Sequence, residues 1–144
     1  RGDEVLDMLQ AMNTGHDGSM TTVHANSPRD AVGRIENMML MSGIDIPLKA
    51  TRSQIASAVH VIVQVQRLSD GSRRMTHIAE ITGMEGEVVA MHDVFRFKRT
   101  GLDADGTVLG HFEASGIRSH YAERFATWGY DLPAEIYAPN RKLG

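Results

Sequence analysis

Apolar residues recur at helical spacing at the start of the chain. Val5, Met8, Leu9 and Met12 fall three and four positions apart, one stripe of an amphipathic helix. Asn13-Thr14-Gly15 predicts its end, with Gly15 suited to the left-handed closing position. Ser19–His24, with Thr21, Thr22 and Val23, predicts a short strand. The next boundary is strongly marked: Ser27 can cap a helix, Pro28 fits its first turn, and Asp30 follows three residues after the cap. The predicted helix buries Ala31, Ile35, Met38 and Met39, and turns Arg29, Arg34 and Asn37 to other faces. Ser42-Gly43 ends it. Pro47 starts a further helix through Ile55 and Val59, with Arg52 on its polar side.

From His60 the period changes to two. Val61, Val63 and Val65 alternate with Ile62, Gln64 and Gln66, and Ser69-Asp70-Gly71-Ser72 makes a hairpin turn towards a partner strand at Met75–Thr82. A third strand is predicted from about Val88 to Arg99, and Asp105-Gly106 turns the chain into Val108–Glu113. Alternation puts Phe95 and Phe97 on one face of the third strand and Arg96 and Lys98 on the other. A last helix is predicted over Arg118–Thr127, and the tail from Leu132 is weakly specified. The pattern is α/β: an alternating section, a β-meander and a C-terminal helix.

Composition narrows the partners. Hydrophobic residues make up 42% of the 144 positions and charged residues 23%, a balance typical of globular chains. The net charge of −3 gives no electrostatic case for nucleic acid. There are no cysteines, which excludes disulfides and thiolate zinc sites. The seven histidines include no His-x-x-x-His pair on a predicted helix, so no metal site is expected. Met8, Met12, Met38 and Met39 sit at helical core spacing, the ordinary role of a methionine.

The stretch that carries chemistry runs from Thr14 to Ser27: helix end, glycine-bracketed loop, strand, His24, then a capped helix. In α/β folds ligands collect where strand ends and helix N-termini converge. A histidine there can donate a hydrogen bond to an anionic group, which makes His24 a candidate phosphate sensor. No Gly-x-Ser-x-Gly elbow surrounds a serine in this stretch, so acyl transfer is not indicated.

Gly15-His16 followed after seven residues by His24-Ala25 resembles the His box (15–25) of the type II/IV secretion ATPases, hexameric motors of secretion, pili and conjugation. Arg1-Gly2 with Glu4–His16, the block Val63–Arg74, and the block Ile78–Glu85 are similar to the CpaF branch, which drives Tad (Flp) pilus assembly. The resemblance implies the C-terminal part of a RecA-like P-loop ATPase core over residues 1–92 and a smaller β/helical region over 93–144. It implies a homohexamer with ATP and Mg²⁺ between neighbouring subunits, inner-membrane platform proteins as partners, and a cytoplasmic position held at the membrane through them. His16 and His24 match the two box histidines, and Arg1 the arginine beyond the Walker B glutamate. Arg34 and Arg52, on polar helix faces, are expected to contact nucleotide or a neighbouring subunit. The pattern G-x-x-x-x-G-K-[ST] is missing, and the Walker B carboxylate would fall just before Arg1, so the chain is expected to be a fragment inactive alone. The competing reading is a non-catalytic protein-interaction domain. A conjugative DNA-transfer relative is a third, against which the CpaF-like blocks argue.

Overall fold

The computed structural model describes residues 2–15 and 18–143. Helix α1, Gly2–Asn13, buries Val5 and Leu9 on the stripe that the spacing predicts. Its end lies where expected: Thr14 N bonds back to the Gln10 carbonyl at 3.0 Å, and Gly15 takes a φ of 86°, which a side chain would resist. Helix α2, Pro28–Met41, starts on Ser27, whose hydroxyl accepts the Asp30 amide at 3.0 Å. It buries Ala31, Val32, Ile35 and Met39. Helix α3, Leu48–Ala58, buries Thr51, Ile55 and Ala58.

Five strands follow: β1 Val61–Arg67, β2 Arg73–Glu85, β3 Val88–Leu102, β4 Val108–Ala114 and the short β5 Lys142–Leu143. They lie in sequential order in one meandering sheet, with β3–β4 and β4–β5 antiparallel. Between β4 and β5 come helix α4, Ala122–Thr127, and a 3₁₀ turn at Ala134–Tyr137. None of the described helices is long and apolar enough to cross a membrane.

The chain divides into two compact units, Arg1–Val61 with Ile81–Met91, and Ile62–Glu80 with His92–Gly144. In the first, α1, α2 and α3 pack pairwise. Its core is Leu9, Val32, Ile35, Met39 and Ile55, with Ile81 and Val89 from the tips of β2 and β3. The second holds the body of the sheet, where Ala79, Val94, Val108, Ala114, Ala122 and Tyr137 are buried. Pairing of Phe97 with Phe112 and of Arg96 with Glu113 keeps aromatic and charged residues on opposite faces, as the alternation requires.

Three expectations change. Ser19–His24 is not a strand but an irregular segment, with Met20 94% exposed. A strand needs a hydrogen-bonded neighbour, and none of the described strands lies beside it. The last helix begins at Ala122 instead of Arg118, because Glu80 draws Ser119 and His120 into a turn ahead of it. Met38, expected on the buried stripe of α2, is only half-buried, and on β1, for which no inner face was predicted, Val61, Val63 and Val65 are exposed while Gln64 is buried.

Candidate functional site

In the first unit a cavity of about 670 Å³ opens beside α2, within the size range of small-ligand sites. The segment before the helix contributes His24, Ala25 and Asn26; α2 contributes Arg29, Asp30, Arg34, Glu36 and Met38 among others; α3 contributes Arg52; β3 contributes Val88 and Val89. Local sequence explains this convergence. The Ser27 cap and Pro28 fix where α2 begins, so His24 and Asn26 arrive at its N-terminal end, where the helix dipole favours negative charge. Arg29 and Arg34 then follow along the surface that the buried stripe leaves free.

The cations differ in what they hold. Arg52 forms a paired contact with Glu36, Nε to Oε1 at 2.9 Å and Nη2 to Oε2 at 3.3 Å. Its Nη1 donates to the Glu87 carbonyl at 2.9 Å. The hydrogen bond to Glu36 raises the Arg52 pKa above its ordinary value, against the opposing effect of desolvation. Arg29 Nη1 donates to the Val89 carbonyl at 2.5 Å, and no described carboxylate lies within ion-pair distance of it. Arg34 is exposed and, among the described residues, likewise has no carboxylate partner. His24 is exposed on the cavity wall.

The structure thus brings His24, Arg34 and Arg52 to one cavity. His16 and Arg1 lie outside the described residues. Sequence reasoning gave Arg29 no role beyond a polar helix face. Its signal was a cation in the first turn of a helix, where the macrodipole disfavours positive charge unless another contact compensates. Among the described residues no group of three His, Asp or Glu side chains is placed to hold a metal ion.

In the second unit the charged groups serve the fold. Glu80, 4% exposed, accepts from Ser119 Oγ and, at 2.7 Å, from the His120 amide, with His92 Nε2 at 3.8 Å. Glu113, 1% exposed, is ringed by His111 at 3.2 Å, Arg96 at 3.5 Å and Lys98 at 3.7 Å. Burial pushes its pKa up, but the His111 hydrogen bond and the Lys98 and Arg96 charges outweigh that, leaving it lowered. Asp70 accepts from the Ser72 hydroxyl at 2.6 Å, the Val108 amide at 2.8 Å and the Ser72 amide at 2.9 Å, which lower its pKa to about 2. It fastens the β1–β2 turn to the start of β4. Burial raises the Tyr137 hydroxyl pKa, in part against its hydrogen bond to Ser119.

The fold is that of an α/β protein, with a cavity at a helix start lined by His24 and three arginines. Residues 1–104 match the type II/IV secretion system protein family, and the chain belongs to it. A candidate conjugal transfer protein of Mycobacterium tuberculosis (strain H37Rv) is 44% identical over 91 residues, which are 63% of this chain and 25% of that protein. The conjugal transfer protein TrbB of Rhizobium radiobacter is 32% identical over 83 residues, 58% of this chain and 24% of its own. The type IV secretion system protein VirB11 of Brucella suis is 33% identical over 84 residues, 56% of this chain and 23% of its own. The chain thus spans about a quarter of the length of these relatives.

Proposed function

We propose that this chain is part of an ATP-hydrolysing motor subunit that powers pilus assembly or protein secretion, and that its cavity reads the state of the nucleotide through His24. One observation carries the reading: in a member of the type II/IV secretion system protein family, His24 and Arg34, which has no carboxylate partner among the described residues, line one cavity at the start of α2. The residues fit a polyphosphate edge. The imidazole of His24 can donate a hydrogen bond to a phosphate oxygen, and the Arg34 guanidinium can pair with two. They do not supply the glycine cradle, lysine and magnesium ligands of a complete nucleotide site, which fall to the rest of the protein. Bound ATP with Mg²⁺ would bring the phosphoanhydride whose cleavage drives movement. This chain's own part is to bind the terminal phosphate region, orient it and register its departure.

In this reading residues 1–92 complete a RecA-like core and 93–144 form the smaller region. Arg1 and His16 join the site as the family resemblance implies. The subunits form a homohexamer on the cytoplasmic side of the inner membrane, held there by platform proteins of the pilus or secretion machine. The blocks Val63–Arg74 and Ile78–Glu85 support the pilus-assembly branch. Phosphate release by the full-length protein tests the proposal. Magnesium-dependent ATP hydrolysis is expected from the full-length protein and none from residues 1–144 alone. A full-length protein that releases no phosphate from ATP at any magnesium concentration would contradict it.

A further inference from the structure

Two arginines from two helices end on one hairpin. Arg52 of α3 donates to the carbonyl of Glu87, and Arg29 of α2 donates to the carbonyl of Val89. The hairpin tip they hold, Glu85–Val88, is exposed, with Gly86 at a φ of 61°, while Val89 is buried. Val88 and Val89 also line the cavity that holds His24 and Arg34. The β2–β3 turn is therefore tied to the cavity by the same kind of group that would bind an anion there.

The two ties are unequal. Glu36 already satisfies the Arg52 charge through a paired contact, so an incoming anion would have to displace a carboxylate. Among the described residues Arg29 holds a neutral carbonyl and no carboxylate. A phosphate adds to the charge-assisted hydrogen bond the attraction of opposite charges, and it accepts both arms of the guanidinium fork where a single carbonyl accepts one. An anion in the cavity would therefore draw Arg29 away from Val89 and leave Arg52 in place.

We propose that Arg29 is an anion-responsive tether: a polyphosphate in the cavity takes the guanidinium from the Val89 carbonyl and loosens the tip of the β2–β3 hairpin. The inference rests on reading the cavity as a phosphate site and adds to it the element that responds. Arg29 acts here on the hairpin and is a positioning residue, while Arg52 is the fixed anchor.

Hydrogen exchange of the Glu85–Met91 segment in the full-length protein tests this, with inorganic pyrophosphate as the probe and calorimetry on the unsubstituted protein and on Arg34→Gln to measure its binding at this cavity. Pyrophosphate should raise exchange at the tip by about threefold or more, as expected for local opening. Arg29→Gln, an exposed position, should show the raised exchange without pyrophosphate and no further change with it. Arg52→Gln should raise exchange in both states yet keep the step on adding pyrophosphate. If pyrophosphate binds while exchange at the tip stays constant or falls, or if Arg29→Gln responds as the unsubstituted protein does, the tether is wrong and the phosphate site stands. If pyrophosphate does not bind, both fail.

Discussion

The two units treat charge in opposite ways. In the sheet-rich unit Glu80, Glu113 and Asp70 are each surrounded by donors of the same unit, and their role is to hold turns and strands together. In the helical unit the charges line an open cavity, and Arg34 and Arg29 lack carboxylate partners among the described residues. A buried carboxylate held by donors of the fold would have to give up those bonds to take a ligand, which costs stability. A cation left at a cavity wall without a counter-charge keeps the capacity to take one. Function is therefore sought in the helical unit, although the deepest buried carboxylates are in the other.

The largest expected effect tests whether the cavity depends on the helical core. Leu9 is 0% exposed, and Leu9→Ala should cost about 2–5 kcal/mol of stability in urea unfolding of the chain. A loss well under that range would mean that α1 is not packed as described. Next comes Glu80→Ala, which orphans the Ser119 hydroxyl and the His120 amide and should cost about 1–3 kcal/mol. Because Glu80 belongs to the other unit, the affinity of the cavity for pyrophosphate should stay unchanged; a weakened affinity would blur the division drawn here. Ser27→Ala should cost about 1 kcal/mol through loss of the α2 cap, measured by thermal unfolding.

The smallest effect is pH dependence in the sheet-rich unit. Asp70 and Glu113 have lowered pKa values when folded, so each stabilises above its unfolded value and loses that contribution as pH falls through the folded one. For Asp70 the window runs from roughly 3.9, the ordinary aspartate value, down to about 2. Denaturant midpoints across that window should fall with acid, and Asp70→Asn should flatten the slope. A midpoint that rises on acidification would reverse the sign.

Much of this was legible in the sequence, for a local reason. The start of α2 follows from Ser27, Pro28 and Asp30, and its capping bond, Asp30 N to Ser27 Oγ, spans only three residues. The hairpins follow from alternation and from turn residues such as Asp70-Gly71. What was not legible depends on distant partners. The Ser19–His24 segment has the composition of a strand, but pairing is supplied from elsewhere or not at all. The start of α4 is set by Glu80, 39 residues from Ser119. Arg29 reads as a solvated helix residue until its partner, 60 residues away, is known. His24 could be singled out because the glycine-bracketed loop and the cap both lie within a few residues of it.

The most direct measurement is ATP turnover by the full-length protein with His24→Ala, alongside its ATP affinity. Turnover should fall by about tenfold or more, as expected when one hydrogen bond of about 1.5–3 kcal/mol to a charged phosphate is lost, while ATP binding is retained. Turnover within twofold of the unsubstituted protein would contradict the assignment of His24, and with it the reading of the cavity as the place where nucleotide state is sensed.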